Sequence, residues 1–352
     1  MSILIFVVCL AVLVGWLEKN WAPRSLNYLH YDGQCDTLLL EPEEAAVWTS
    51  TIENRGRWPV LFVRLWDFIP GEATLQAEES WIREHQKHGL TRTYVEDTFL
   101  LMPGKRRSSK ITFVLPKRGR YEFGHRLAAG DLLGLEEVAK EQESSGAVIV
   151  LPKRVEETVA LDALGGLLGD HSVRRRILED PMMIAGFRDY TGREPMKDIS
   201  WMRTAVSGRL QVRQYDYTAE QTVTVMLNTR GGSEEELERC FSLTRTVCEE
   251  LERRKIPYGF QTNGDVRGPV GPLFWLASGL GTQHLNTILY GLGQAGYTNY
   301  QSLDTMVDQA LGQARPSVSY LLITPSLEGQ DKKALARLSA HAMVTVLEGR
   351  VV

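Results

Sequence analysis

Cysteine is scarce in this chain, and the cysteines present do not form a framework. Only four of the 352 residues are cysteine. Cys9 lies in an apolar run, Cys35 stands alone, and Cys240 and Cys248 both fall on one predicted helix. There is no C-x-x-C pair and no Cys/His cluster, which excludes a disulfide scaffold and a zinc motif. The sequence therefore predicts reduced, structural thiols, as in a cytosolic setting.

The chain also lacks an excess of positive charge. It has 40 lysines and arginines against 44 aspartates and glutamates, so its net charge is −4 and its pI is near 6.0. A dedicated nucleic-acid binder needs a clear basic excess to neutralise phosphates. The charge balance thus excludes nucleic acid as the expected partner. The length predicts about two domains.

No complete catalytic or nucleotide-binding motif is present. The segment "GLGQAG" (Gly291, Gly293 and Gly296) has the spacing of a dinucleotide fingerprint, but that fingerprint requires a preceding strand. Here "QHLNTILY" precedes it with helical spacing, and Asp304 and Asp308 follow too closely to bind a ribose. There is no Walker A sequence and no G-x-S-x-G elbow. We expect no cofactor, no catalytic residues and no small-molecule substrate, and predict that the protein is not an enzyme.

One long apolar run begins the chain. Residues 1–17, "MSILIFVVCLAVLVGWL", carry no charged side chain and are at the short limit for crossing a bilayer core. The run lacks the basic start and the cleavage site of a signal peptide, so residues 1–22 are predicted to be an uncleaved membrane anchor. Lys19 and Arg24 follow the run, which by the positive-inside rule places the soluble part in the cytoplasm. The expected location is the cell membrane, as a single-pass protein.

Residues 23–153 have the period of β-strands. Runs such as "AVWTSTIENRG", "PVLFVRLWDFIP" and "KITFVLPKRGRYEFG" are rich in β-branched and aromatic residues and are separated by turn signals. A long amphipathic piece, "AEESWIREHQKHG", interrupts them. Strands without intervening helices predict an antiparallel β-sandwich-like domain.

Residues 218–352 alternate between strands and helices. The apolar strand "TVTVMLN" is followed by a helix that opens with Ser233 and Glu236, spaced as in a capping box. An apolar stripe that includes Leu237, Phe241 and Leu251 continues along this helix. Further strands, "IPYGFQTN", "SVSYLLITPS" and "MVTVLEG", alternate with helical patterns. This order predicts an α/β domain with a mostly parallel, doubly wound sheet.

A connecting segment, residues 154–217, joins the two halves. Its second part, "FRDYTGREPMKDISWMRTAVSGRLQVRQYD", mixes many charges with aromatic residues. One interpretation is a polar network at the domain seam in which Tyr190 and Trp201 bury their rings. The other is a surface that docks a partner, because arginine and tryptophan are frequent at binding hot spots. The interaction candidates are Arg188, Asp189, Tyr190, Trp201, Arg203 and Arg213.

The same segment resembles the signature of the "domain of unknown function 58" family, whose members carry a von Willebrand factor A-like domain. A second stretch, "RGRYEFG…GDLLGL" at residues 118–135, is similar to another feature of that family. The resemblance covers most of the chain. It implies a transmembrane helix, a β-sandwich-like domain and a von Willebrand factor A-like α/β domain. The matching signature residues are Arg188, Asp189, Tyr190, Gly192, Ile199, Trp201, Thr204, Ala205, Leu210, Val212 and Arg213.

The resemblance implies a role without catalysis. It predicts a membrane-anchored interaction or assembly module that works with a MoxR-type AAA ATPase in the cytosol and with neighbouring envelope proteins. Many members keep an Asp-x-Ser-like metal site after the first strand of the α/β domain. At that corner this chain has Asn228, Arg230 and Gly232 instead, and Arg230 would repel a cation. We therefore expect that no metal binds there.

Two other functions stay open. A divalent-cation-dependent, adhesion-type binding domain would be stabilised by Mg²⁺. A hydrolase or transferase could assemble its site from dispersed residues such as Asp216, Asp265 and His284.

Overall fold

The structure is a computed structural model that describes residues 24–76, 82–87, 90–130, 137–155, 158, 165, 184–215, 222–312, 318–327 and 329–350. The chain forms two compact units. The first contains the residues up to Lys153 together with Leu292–Gln294, and the second contains the rest from Arg154 onward. Each unit has its own hydrophobic core.

The first unit consists of two β-sheets. Its strands are β1 (Leu29–Cys35), β2 (Leu39–Leu40), β3 (Ala45–Asn54), β4 (Val60–Ile69), β5 (Thr74–Leu75), β6 (Ile82–Lys87), β7 (Leu90–Leu101), β8 (Arg106–Val114), β9 (Gly119–Gly130) and β10 (Glu137–Val150). One sheet has the order β1-β3-β8-β5 and the other has the order β2-β10-β9-β4-β7-β6. The amphipathic piece "AEESWIREHQKHG" contributes strand β6, which pairs antiparallel with β7.

The core of the first unit follows from the period of its strands. Along β3 and β4 buried positions alternate with more exposed ones, because successive side chains of a strand point to opposite faces. The buried faces form two apolar clusters, one around Trp48 and Phe113 and the other around Ile52 and Leu65. The rings of Trp48 and Phe123 stack with their centroids 4.3 Å apart.

The second unit contains a two-stranded and a five-stranded sheet. Its strands are β11 (Ile184–Asp189), β12 (Gln211–Tyr215), β13 (Thr222–Leu227), β14 (Tyr258–Thr262), β15 (Trp275–Gly279), β16 (Val318–Thr324) and β17 (Met343–Glu348). Its helices are α1 (Trp201–Ser207), α2 (Glu234–Arg253), α3 (Thr282–Gly293), α4 (Leu303–Gly312) and α5 (Gly329–His341). Strands β11 and β12 form the small sheet, and the larger one has the order β15-β14-β13-β16-β17.

The capping box predicted at the start of α2 is confirmed. The backbone N–H of Glu236 donates to the Ser233 hydroxyl at 3.3 Å, and the backbone N–H of Ser233 donates to the Glu236 carboxylate at 2.8 Å. The stripe residues Leu237, Phe241 and Leu251 are all buried. Helix α2 therefore begins where the local pattern predicts and buries the predicted face.

The predicted fold class is wrong about the sheets, because two of them are mixed. In the six-stranded sheet β2 runs parallel to β10, whereas β9 and β10 are antiparallel. In the five-stranded sheet β15 is antiparallel to β14, while the other neighbouring strands are parallel. Residues 263–274 join β14 to β15 without a helix. A return without a crossover helix brings the next strand back antiparallel.

The predicted fold class is also wrong about a membrane-spanning helix. Within the residues that the structure describes, no helix is both long and apolar enough to cross a membrane. Helix α2 has 20 residues, but it carries many acidic and basic side chains and is amphipathic. The predicted anchor at residues 1–22, with its apolar run at 1–17, lies outside the described residues. The finding contradicts the predicted cell-membrane, single-pass location with a cytoplasmic soluble part.

Candidate functional site

Residues 184–215 form a small folded element, here named the hairpin unit. Strands β11 and β12 pair antiparallel, with Arg188 opposite Val212. Between the strands the chain forms a 3-10 turn at Met196–Asp198 and helix α1. In the described part of the chain, β11 and β12 make up a sheet of their own.

The Glu194 carboxylate organises the loop of the hairpin unit. It accepts hydrogen bonds from Arg188 Nη1 at 2.6 Å, from the Thr191 hydroxyl at 2.7 Å and from the Thr191 backbone N–H at 3.0 Å. The Thr191 hydroxyl, together with the other donors, lowers the pKa of Glu194 to about 2. Glu194 is therefore ionised at physiological pH, and the exposed Arg188 side chain forms an ion pair with it.

Helix α1 is attached to strand β12 by polar and apolar contacts. The Thr204 hydroxyl accepts a hydrogen bond from the backbone N–H of Gln211 at 3.0 Å. Ile199 and Val212 are buried and form the apolar centre of the unit. The helix ends at Gly208, whose φ of 69° is in the left-handed region that favours glycine. These contacts fix which face of α1 is turned outward.

The outward face of the hairpin unit is strongly apolar. Trp201 is 62% exposed, Met202 is 80% exposed and Val206 is 80% exposed. No residue of α1 is buried. The interpretation in which Trp201 buries its ring is therefore wrong. Other large apolar side chains exposed on the unit are Ile184, Phe187, Met196 and Leu210.

Three of the predicted interaction residues lie together on this unit with Phe187. The guanidinium carbon of Arg203 lies 5.0 Å from the centroid of the Phe187 ring, within the range of a cation–π contact. Arg213 is the residue opposite Phe187 on the neighbouring strand, and its side chain is exposed. Trp201 begins the helix that carries Arg203. The structure thus places aromatic and basic side chains on one element.

The other predicted residues hold the two strands together. Asp189 accepts a hydrogen bond from the side-chain amide of Gln211. Tyr190 is half-buried, and its backbone N–H donates to the carbonyl of Leu210 at 2.9 Å. Arg188 is engaged with Glu194. Arg188, Asp189 and Tyr190 thus stabilise the strands and the loop behind the exposed apolar face.

Sequence reasoning missed Met202 and Val206 as members of this surface. A signal for them exists, because Trp201, Met202, Ala205 and Val206 share one side of a helix at spacings of one, four and five residues. That pattern predicts an apolar helix face, but it does not say whether the face is covered. The density of charges around it favours the arginines as interaction candidates instead.

The corner at the carboxyl ends of β13, β14 and β16 is a closed network of neutral groups. The Asn228 amide donates to the Thr324 hydroxyl at 3.0 Å, and the Asn263 amide donates to Asn228 Oδ1 at 2.7 Å. The backbone N–H of Thr229 donates to Asn263 Oδ1 at 2.9 Å. All four residues are buried, and their mutual hydrogen bonds fix the strand ends.

The residues at this corner do not fit a divalent cation. The backbone N–H of Arg230 donates to Asn228 Oδ1 at 3.1 Å, so that oxygen is already used twice. The Arg230 guanidinium lies 4.0 Å from the carboxylate of Asp331 and would repel a cation. Gly232 offers no side-chain ligand. Among the described residues there is no group of three or more His, Cys, Asp or Glu that could hold a metal.

The dispersed residues considered for a hydrolase engage different partners. Asp265 forms an ion pair with Arg267 at 3.2 Å. His284 Nε2 lies 2.8 Å from the carbonyl oxygen of Tyr258, and the two rings meet edge to face. Asp216 lies outside the described residues.

Four polar side chains form a layer in the first unit. Ser50, Asp67 and His125 are buried, and Tyr31 is partly buried and packs against the cluster around Ile52 and Leu65. The Tyr31 hydroxyl donates to Asp67 at 2.8 Å and lies 3.0 Å from the Ser50 hydroxyl. The Tyr31 ring stacks on His125 with 3.6 Å between the centroids.

This polar layer contains the residue types of a nucleophile relay but not its connections. His125 Nδ1 lies 2.5 Å from the Ser145 hydroxyl, a contact that a serine nucleophile and its base would make. A relay would also need the acid to orient the base, whereas Asp67 binds Tyr31. Burial raises the pKa of Asp67 to about 6 and lowers the pKa of His125 to about 4. Opposite charges in contact would shift both pKa values the other way.

Comparison with known proteins identifies no family for this chain. No family model matches it, and no curated protein matches it. The resemblance to the "domain of unknown function 58" family consequently gains no support from these comparisons. The sequence-based prediction of a transmembrane, von Willebrand factor A-like, MoxR-associated protein is therefore wrong as a description of this chain. No family model supports it, and the described residues contain no helix that could span a membrane.

Several solved structures share a partial likeness. The CARDB domain of the PF1109 protein from Pyrococcus furiosus, in complex with di-metal ions, is 14% identical over 35% of this chain and 91% of that domain, with a TM-score of 0.23. Alpha-2-macroglobulin from Escherichia coli is 15% identical over 36% of this chain and 17% of that one, with a TM-score of 0.27. The C-terminal domain of wzt is 11% identical over 35% and 73% of the two chains, with a TM-score of 0.24. Similarities this weak carry no argument about function.

Proposed function

We propose that this protein is a non-enzymatic interaction module that binds another protein through its hairpin unit. The observation that carries the proposal is the outward face of α1, where Trp201, Met202 and Val206 are at least 62% exposed. Single exposed apolar side chains are common, but contiguous exposed patches mark binding sites. A patch built on one short helix is suited to docking against a groove.

The small size of the hairpin unit supports this proposal. Helix α1 has 7 residues, and isolated helices shorter than about 12 residues are marginal in water. A two-stranded hairpin is also marginal alone. Among the side chains of the unit that the structure describes, the large apolar ones that are buried are Ile199 and Val212. A partner that covers the outward face would therefore stabilise the unit as it binds.

The polar contacts within the unit support the proposal in a second way. Glu194 holds Arg188 and Thr191, and Thr204 holds the backbone of Gln211. These bonds order the loop and the helix before any partner arrives. Ordering a surface in advance reduces the entropy that is lost on binding.

A role without catalysis agrees with the chemistry of the described residues. The strand-end corner uses its amides and hydroxyls in mutual hydrogen bonds. Among the residues with described side chains, no acid is hydrogen-bonded to the imidazole of the Ser145–His125 pair, and Asp67 binds Tyr31 instead. As for the partner, the family resemblance implies an AAA-type ATPase.

Site-specific crosslinking tests the proposed function. A photoactivatable amino acid replaces Val206, and the protein is irradiated in the cells that produce it. The double variant Trp201→Ala/Met202→Ala is expected to reduce the crosslinked product at least ~10-fold, since hot-spot residues each contribute about 2 kcal/mol or more. The matched control is Trp58→Ala/Met102→Ala on the first unit, where the side chains are 65% and 51% exposed.

The crosslinked partner is then identified by mass spectrometry. An AAA-type ATPase would agree with the resemblance, and another protein would replace that partner while leaving the docking role in place. Equal yields of product from the two double variants, or no protein product at all, would contradict the proposed function.

A further inference from the structure

The acidic side chains of the hairpin unit are all engaged, whereas most of its basic side chains form no ion pair within the described part of the chain. Glu194 binds Arg188, Asp189 accepts a hydrogen bond from Gln211, and Asp198 also has a partner. Within the described part of the chain, the following exposed basic residues form no ion pair: Arg193, Lys197, Arg203, Arg209 and Arg213.

This arrangement gives the unit a positive surface on a negative protein. Residues 184–215 contain six basic and three acidic side chains, a net charge of +3, whereas the whole chain has a net charge of −4. The remainder of the chain therefore carries −7. Because charges on a surface are screened within about 8 Å at physiological ionic strength, the basic side chains on and beside α1 contribute directly to the potential there. An approaching partner meets a basic surface.

Basic side chains lie on the helix that carries the apolar face, after its end and on the adjacent strand. Arg203 extends from α1 over the Phe187 ring, and Arg209 directly follows the glycine that ends the helix. Arg213 lies on the adjacent strand β12. Trp201 and Met202 are on the same element and strongly exposed. The surface thus combines an apolar centre with a basic rim. It exposes aromatic residues, methionine and arginine, which are the residue types enriched at protein–protein interfaces.

We infer that the hairpin unit recognises an apolar groove with an acidic rim on a partner protein. This inference rests on the proposed function and specifies the chemistry of the partner. The apolar face fills the groove, and the arginines face carboxylates at its edge. Complementary charges of this kind mainly increase the association rate and exclude partners with a basic rim. A protein is favoured over a phosphate polymer, because phosphate recognition does not require exposed methionine and valine.

Charge reversal in the hairpin unit tests the inference. The probe is the purified partner protein that crosslinks to position 206. Arg209→Glu/Arg213→Glu is expected to weaken binding at least ~10-fold at low salt. The effect should shrink to less than ~2-fold near 1 M salt, where surface charges are screened. Lys332→Glu/Lys333→Glu on α5 is the matched control, since both lysines are exposed and the net charge changes equally. Circular dichroism verifies folding, and Arg209→Gln/Arg213→Gln is used if the reversal unfolds the unit.

The variants separate failure of the inference from failure of the proposed function. Loss of binding in Trp201→Ala/Met202→Ala, with normal binding in both the Arg209/Arg213 variant and its control, would leave docking in place and overturn the acidic rim. A decisive positive result is rescue: a Glu→Lys change in the crosslinked segment of the partner should restore binding of Arg209→Glu/Arg213→Glu. Equal weakening by the control reversal would show a general charge effect and overturn the inference.

Two other anionic partners are outcomes of the same test. Vesicles of phosphatidylglycerol and phosphatidylcholine and a single-stranded oligonucleotide are titrated with the intact protein. The inference of a protein partner would be overturned if either probe bound in a way that depends on Arg209 and Arg213 and no protein crosslink formed. We expect that the double variant Trp201→Ala/Met202→Ala does not weaken the binding of either probe.

Discussion

Asp67 is a carboxyl group inside an apolar sandwich, and its surroundings illustrate how single residues shape this protein. It is 2% exposed and hydrogen-bonds to Tyr31. His125 lies opposite it on the neighbouring strand and is also buried. Within the described part of the first unit, neither residue has a counter-ion among its hydrogen-bond partners. Burial without a partner charge disfavours the ionised form of each group.

The two buried groups should give opposite dependences of stability on pH. The pKa of Asp67 is raised from 3.8 to about 6, so folded protein binds this proton more tightly and loses stability as pH rises from about 4 to 6. The pKa of His125 is lowered from 6.5 to about 4, so folded protein loses stability as pH falls through that window. Between pH 4 and 6 the two contributions oppose each other.

Asp67→Asn removes one of these contributions. The free energy of unfolding of the variant, relative to wild type, should rise between pH 4 and 7 by on the order of 3 kcal/mol, because the His125 contribution is common to both proteins and only wild type loses stability through Asp67. Urea denaturation at several pH values measures this difference. The exposed Asp32→Asn is the matched control and should run parallel to wild type. A parallel curve for Asp67→Asn would contradict the proposed buried titration.

Arg230 supports a second prediction at the residue scale. Millimolar Mg²⁺ should leave the melting temperature unchanged, because a ligand stabilises only what it binds and the corner oxygens are already hydrogen-bonded. Differential scanning fluorimetry with Mg²⁺, against NaCl of equal ionic strength, measures the shift. A clear stabilisation specific to Mg²⁺ would favour the adhesion-type alternative.

At the scale of elements, α2 shows what local sequence can specify. Its capping box spans four residues and needs no other part of the chain. Its apolar stripe is buried as the spacing predicts. By contrast, the sequence predicts only an amphipathic interruption where β6 forms, because strand pairing with β7 depends on the neighbour that the segment finds.

Removal of the cap should destabilise the second unit by a defined amount. Ser233→Ala leaves the backbone N–H of Glu236 without its hydroxyl partner and should cost about 1 kcal/mol of unfolding free energy. Ser278→Ala, at an exposed position of β15, is the control and should stay within about 0.5 kcal/mol of wild type. Chemical denaturation measures both, and equal effects would refute the role of the cap.

At the scale of the whole molecule, the division near Lys153 predicts unequal behaviour of two fragments. Residues 24–153 contain both apolar clusters of the first unit and should unfold cooperatively as an isolated fragment. Residues 184–215 contain only the small centre of the hairpin unit and should be largely unfolded alone. Circular dichroism with thermal melts distinguishes them. A featureless melt for fragment 24–153 would contradict an independent core.

The sequence by itself determined those features whose physics is local. The start of α2 follows from Ser233 and Glu236, and the helical spacing ahead of the glycines, where α3 runs to Gly293, removes the dinucleotide interpretation. The alternation along β3 and β4 specifies which face is buried. Each of these depends on residues a few positions apart, so the pattern contains the answer.

Only the tertiary structure decided the rest. Whether Trp201 is buried depends on which element packs against α1, and that cannot be read from the helix itself. The direction of β15 depends on the path of its connection, and the partner of Asp67 depends on how two sheets meet. Such contacts join residues that are far apart along the chain. The exposed apolar face and its basic rim, from which the proposed function follows, belong to this second class.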